Sequence, residues 1–199
     1  MPPPRRRALG PAPGQSDGII PDPAVDPPAD PESVARAICL RLLSTQPRSR
    51  AELAAELRRR SVPADAAEAV LSRFAEVGLV DDAAFAVAWV ESRHAGRGLG
   101  RATLARELNR RGIDDGLAKE AIERLDPETE EASARALVDR RIASTRRLAP
   151  EASVRRLVGI LARKGYPAGL SMRVVRAALA EDKDAQEVLN GLPDGLYPD

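Results

Sequence analysis

Four sets of residues in this 199-residue chain have types and spacings that could do chemistry. Asp81 and Asp82 are adjacent carboxylates, the raw material of a metal site or an acid–base pair. Gly96-Arg97-Gly98-Leu99-Gly100 is rich in glycine, as phosphate-cradling loops are. Cys39 and His94, each the single residue of its type, make the one thiol–imidazole pair available. Arginine is gathered into clusters that suit phosphate or carboxylate partners. The first three sets weaken when their context is read. Asp81-Asp82 opens a helical stretch, where aspartates serve as cap and first-turn residues. A dinucleotide loop needs a preceding strand and a third glycine at fixed spacing. Here a helical stretch precedes and the spacing differs. Cys39 lies between Ile38 and Leu40 and reads as a small core residue. His94 falls near a helix end beside arginines and reads as a surface or capping group. No cofactor, no metal and no catalytic set is expected, so the chain does not read as an enzyme.

The arginine clusters remain. One series closes three helical stretches: Arg58, Arg59 and Arg60; Arg110 and Arg111; Arg163 and Lys164. Cations suit helix C-termini, where the dipole is negative, so part of this pattern is structural. Arg93, Arg97 and Arg101 surround the glycine-rich segment, which reads as a mobile, positively charged loop. Arg140, Arg141, Arg146, Arg147, Arg155 and Arg156 place six arginines in 17 positions, denser than helix solubility requires. The formal net charge of +1 hides this asymmetry. Residues 32–180 carry 25 Arg and two Lys against 20 acids, a net of +7, whereas residues 181–199 carry six acids against Lys183, a net of −5. A basic body with an acidic tail suits a polyanionic partner, nucleic acid or nucleoprotein.

The elements that position these charges read as helices throughout. Apolar residues recur at three and four: Val34, Ile38, Leu42; Ala67, Val70, Leu71, Phe74, Val77; Phe85, Ala86, Trp89, Val90; Leu117, Ala121, Ile122, Leu125; Val154, Leu157, Val158, Leu161. Ser49-Arg50-Ala51-Glu52 is a capping box. Asp30-Pro31 and Asp126-Pro127 put a cap before a first-turn proline, and Asp81 and Asp114 are further caps. Gly78-Leu79, Gly112-Ile113 and Gly165-Tyr166 each pair a left-handed stop with an apolar residue that packs back. Residues 1–31 hold ten of the 17 prolines and read as a disordered tail. Arg5, Arg6 and Arg7 lead into Pro and Gly rather than an apolar run, so no export signal is expected. With no run of about 18 apolar residues and a single cysteine, a cytoplasmic protein without a membrane span is expected.

An internal repeat organises the body. Leu53-Ala-Ala-Glu-Leu57-Arg-Arg-Arg-Ser61-Val62 returns as Leu104-Ala-Arg-Glu-Leu108-Asn-Arg-Arg-Gly112-Ile113, and again as Leu157-Val-Gly-Ile-Leu161-Ala-Arg-Lys-Gly165-Tyr166. The expected fold is all-α: an elongated array of three tandem three-helix repeats, at 32–79, 81–126 and 127–180, between a Pro-rich tail (1–31) and an acidic tail (181–199). Ser61 replaces the glycine of the other copies, which predicts a tighter or strained turn.

Residues 78–113 carry a more specific signal. Gly78-Leu-Val-Asp81-Asp82-Ala-Ala-Phe85-Ala86-Val-Ala-Trp89 runs on through Arg93 and Gly98-Leu-Gly100 to Glu107-Leu108-Asn-Arg-Arg-Gly112-Ile113. This resembles the signature of the bacterial RecX regulatory family, and with the repeat the resemblance spans about residues 32–180. It implies an all-helical, non-enzymatic protein of tandem three-helix units acting in DNA repair, recombination and the SOS response. The implied partner is RecA polymerised on single-stranded DNA. The protein would lie in the filament groove, lowering ATP hydrolysis and strand exchange, as a monomer with weak sequence-independent DNA binding of its own. The arginines of the clusters from Arg93 to Lys164 would supply the contacts. The alternative is a stand-alone helix-turn-helix DNA reader. Its recognition helices would begin Pro63-Ala-Asp, Asp114-Asp-Gly and Pro167-Ala-Gly, which lack base-reading side chains.

Overall fold

A computed structural model of the protein describes residues 30–182. Among them are nine α-helices and one 3₁₀ turn, with no strand. The helices are α1 (Pro31–Leu43), α2 (Arg50–Arg59), α3 (Ala64–Glu76), α4 (Asp82–Arg97), α5 (Arg101–Arg110), α6 (Asp115–Glu123), α7 (Pro127–Ile142), α8 (Pro150–Lys164) and α9 (Ala168–Glu181). The Pro-rich tail and the acidic tail fall outside the described residues, except at their inner edges. There Pro31 already opens α1 and Glu181 still belongs to α9.

Local signals set the helix boundaries. Ser49 and Glu52 close the capping box on α2. Asp81 accepts from the Ala84 N–H at 2.9 Å, Asp114 from Gly116 at 2.8 Å and Asp126 from Thr129 at 2.9 Å. The Thr129 backbone and hydroxyl bonds hold the Asp126 carboxyl below its ordinary range. Gly78, Gly112 and Gly165 all take positive φ, and so does Ser61 at +58°. The expected strain at Ser61 is therefore present, in the region that disfavours a Cβ.

Packing divides the helices into three triples, each with its own apolar cluster. Leu53 and Leu57 of α2 pack with Val70, Leu71 and Phe74 of α3 and with Ile38 and Cys39 of α1. Leu104 and Leu108 of α5 pack with Phe85, Ala86 and Val90 of α4 and with Ala118 and Ala121 of α6. Leu157 and Leu161 of α8 pack with Ala134 and Val138 of α7 and with Val174, Val175 and Leu179 of α9. The six repeated leucines are all buried. Burying each contributes on the order of 2 kcal/mol, which is why the repeat is legible at these positions. One turn departs from expectation. Leu79 is 51% exposed instead of packing back, and Val80 is buried in its place. Both N–H groups point to the Phe74 carbonyl, so the chain makes one more residue of turn before it re-enters the core.

Candidate functional site

The three triples meet through a recurring joint, which decides which arginines are free. In the first joint the turn that ends α5 docks on the start of α2. Ser49 Oγ donates to the Arg111 carbonyl at 2.6 Å, and the Arg111 guanidinium pairs with Glu52. Asp82 accepts from the Arg50 N–H at 2.8 Å, a bond across 32 residues of sequence. A Cβ on Gly112 would overlap that of Ala51. The second joint repeats the arrangement one unit on, with the end of α8 on the start of α5. The Gly100 N–H donates to the Lys164 carbonyl at 2.9 Å and the Ala102 N–H to the Gly165 carbonyl at 3.1 Å. Helix α8 thus offers its carbonyl end to the N–H end of α5, as α5 does to the start of α2. Opposite helix-dipole ends meet at both joints.

This overturns two readings. The segment from Gly96 to Gly100 is not a mobile loop. Gly96 lies inside α4, Gly98 caps it at φ +57°, and Gly100 begins α5. A Cβ on Gly100 would come within 2.7 Å of the Gly165 backbone, so this glycine exists for close approach of two chains. His94 is not a surface residue either, being 4% exposed. Its Nδ1 lies 2.9 Å from the Leu99 carbonyl, which can only accept, so Nδ1 carries the proton. Nε2 then accepts from the Ser133 hydroxyl at 2.9 Å, tying α4 to α7. Tyr166 donates to the Gly98 carbonyl at 3.2 Å. Burial, with the Glu130 carboxylate adding to it, pushes this phenol up to about 12.

The predicted contact arginines separate into structural and free groups. Arg101 turns inward, pairing with buried Glu130 at 2.7 Å and donating to the Ile122 and Leu125 carbonyls at the end of α6. Arg93 and Arg111 stand over the Trp89 ring, at 3.9 and 3.7 Å from its centroid, while Trp89 Nε1 donates to Glu107 at 3.1 Å. Trp89 is therefore half-buried beside the first joint rather than sealed in the core. Arg146 pairs with Asp182. Arg110 is exposed along α5. Arg147, Arg155, Arg156 and Arg163 are exposed and have no carboxylate partner among the described residues. Cys39 is fully buried, as expected, and burial pushes its thiol up, away from the reactive thiolate.

Four of the predicted cations converge. A groove of about 800 Å³ lies between the last turn of α4 and one face of α7. Arg97, Arg140, Arg141 and Lys164 line it, with Ser133 and Leu137 among the remaining wall residues and no Asp or Glu. Arg97 leans toward Glu107 at 3.8 Å, and Lys164 Nζ donates to the Arg97 carbonyl at 2.8 Å. Arg140 and Arg141 are exposed and have no carboxylate partner among the described residues. Residues near 97, 140 and 164 meet here because the second joint fixes α4, α7 and α8 together. A lining of this charge suits carboxylate or phosphate oxygens. It lacks an aromatic surface for stacking bases.

Comparison with known proteins decides the family. The chain is 56% identical to the regulatory protein RecX of Streptomyces coelicolor over 164 residues, covering 82% of this chain and 87% of the relative. The chain belongs to the RecX family. RecX of Thermobifida fusca is 58% identical over 152 residues, covering 76% of this chain and 82% of that protein. The RecX family models match too, the first three-helix domain over residues 35–74 and the second over residues 81–122. The crystal structure of RecX from Lactobacillus salivarius superposes with a TM-score of 0.72 at 19% identity, over 75% of this chain and 97% of that one. A second RecX crystal structure gives 0.68 at 21% identity, over 75% of this chain and 73% of that one. The all-helical RecX fold and a regulatory rather than enzymatic class follow for this chain. Among the described residues, no helix is long and apolar enough to cross a membrane, and no cluster of ligating side chains could hold a metal ion.

Proposed function

We propose that this RecX protein acts in the cytoplasm as a monomer, binding RecA filaments on single-stranded DNA and lowering their ATPase and strand-exchange activity. Family membership at 56% identity over most of the chain is the observation that carries this reading. The groove of Arg97, Arg140, Arg141 and Lys164 supports it, because a filament presents acidic side chains and phosphates to whatever lies in its groove. The exposed Arg155 and Arg156 of α8 extend the cationic surface. Arg101 and Arg111 hold the joints and Arg93 stacks on Trp89 within its own triple, so their contribution to binding is indirect.

The test is RecA ATPase on single-stranded DNA with the protein titrated in. The rate should fall in a dose-dependent way. An unchanged rate at saturating protein overturns the reading. The pair Arg140→Glu and Arg141→Glu should weaken inhibition by about tenfold or more, since reversing charges at a polyanion contact costs on the order of 1.4 kcal/mol or above. Helix content should not change.

A further inference from the structure

The groove poses a physical question of its own. Four cations line it and no carboxylate does; Arg97 leans out toward Glu107, which leaves Arg140, Arg141 and Lys164 without a carboxylate in the groove to offset their charge. The chain carries one candidate anion close by. Residues 183–199 hold Asp184, Glu187, Asp194 and Asp199 against Lys183, a net of −3. The chain leaves α9 beside α7 and the extension that follows it, Arg135 lying on a face of α7 other than the one that lines the groove. The Glu181 carboxylate pairs with Arg135 at 2.6 Å, and Asp182 lies 3.3 Å from Arg146, just past the end of the same helix. These are the helix and the extension that flank Arg140 and Arg141. We propose that the groove between α4 and α7 is the docking site of the chain's own acidic segment, residues 183–199, which competes there with external polyanions.

Reach and concentration favour this occupant. Helix α7 has 16 residues and is about 24 Å long, so no part of the groove wall it forms is farther than that from its end. Seventeen residues span up to about 55 Å when extended. A tethered ligand acts at an effective concentration in the millimolar range. It therefore holds the groove against weak, indiscriminate polyanions and yields to a partner that makes many contacts at once. The chemistry fits carboxylates: isolated point anions match Arg140, Arg141 and the Lys164 ammonium. The proposal does not depend on RecA.

The lysine content permits a direct test on the full chain. There are three lysines, Lys119, Lys164 and Lys183. A water-soluble carbodiimide joins an ammonium to a carboxylate only when the two touch. Mass spectrometry of the treated monomer should find Lys164 joined to a carboxylate of residues 184–199, with exposed Lys119 as the internal control. Lys119 has Glu123 at 3.8 Å and couples to it in any case. Cross-links from Lys119 to residues 184–199 as frequent as those from Lys164, or cross-links formed only between two copies, overturn the proposal. Competition is measured with fluorescent oligothymidylate as the polyanion. Neutralising the segment in the full chain (Asp184→Asn, Glu187→Gln, Asp194→Asn, Asp199→Asn) should tighten binding about tenfold at ~50 mM salt, and the gain should vanish by ~200 mM. With Arg140→Ala and Arg141→Ala also present, neutralisation should change nothing. A gain that survives those alanines means that the segment acts only through overall charge, and equal affinities at low salt remove the competition altogether.

Discussion

The two joints use one geometry and seal it with different chemistry. At the first, side chains do the work: Ser49 donates to a carbonyl, Arg111 pairs with Glu52 and stacks on Trp89, and Asp82 caps α2 from the next triple. At the second, backbone meets backbone. Gly100 and Gly165 approach so closely that neither tolerates a Cβ, and His94, Tyr166 and Arg101 bury polar bonds around them. A side-chain joint can adjust by rotating its partners. A backbone joint cannot, because the groups in contact have no torsion to change without moving a helix. The basic groove lies beside the second joint, so its four cations are held by the stiffer of the two.

The contrast predicts different responses to the same substitution. Gly165→Ala puts a methyl group into the Thr103 backbone at φ +92°. Overpacking and left-handed strain together should cost about 3–5 kcal/mol, read as a lowered urea midpoint. No single second substitution should restore it, because the clash is with backbone. Gly112→Ala collides with the Ala51 methyl, a side-chain atom. It should cost about 2–4 kcal/mol alone. Ala51→Gly in the same chain should recover the steric part, with a coupling of about 1 kcal/mol or more in a double-mutant cycle. Additive effects at 51 and 112 would show that the first joint does not pack as described.

This difference also marks what the sequence made legible. Caps, stops and the repeated leucines were readable because each depends on residues within about four positions. The capping box at Ser49, the Asp126 cap and the buried pairs from Leu53/Leu57 to Leu157/Leu161 are examples. The joints were not readable. Asp82 looked like a first-turn acid of its own helix, which it is, but it also caps α2 from the next triple. Arg101 resembled its solvated neighbours until α6 and Glu130 were placed against it. His94 looked exposed because its two partners lie at 99 and 133. The groove combines three distant segments. The signal that could have exposed the second joint was Gly100, a glycine with no turn requirement of its own, since it begins α5 with an ordinary extended backbone.

The polar seal of the second joint has a pH signature. The Tyr166 phenol is raised to about 12 from the ordinary value near 10, so folding favours its protonated form. The stability this contributes is fully present below about pH 10 and is lost as the pH rises toward 12. Urea midpoints of the parent should therefore fall across that window. In Tyr166→Phe the fall attributable to this site should be absent. The variant should instead show a constant loss near neutrality of about 1 kcal/mol, because the Gly98 carbonyl loses its donor. A parent curve with the same alkaline slope as the variant would place the phenol in water rather than in the joint.

The smallest expected effect comes from the turn that no joint covers. Ser61 occupies the position of Gly112 and Gly165 in the repeat and takes the same left-handed conformation, at φ +58°, while remaining exposed. At Gly112 and Gly165 glycine answers two demands, positive φ and the approach of a neighbouring chain. At Ser61 only the first applies, and a serine can bear it. Left-handed strain costs a non-glycine residue about 1–2 kcal/mol. Part of any gain from glycine is offset by the greater freedom it gives the unfolded chain. Ser61→Gly should therefore stabilise by about 0.5–1 kcal/mol, measurable as a raised urea midpoint with unchanged slope. Gly112→Ser supplies the complementary measurement, since it adds strain and clash together. Its cost in excess of the Ser61→Gly gain measures the steric demand of the joint, and equal magnitudes would mean that the turn at Gly112 is as uncovered as the one at Ser61.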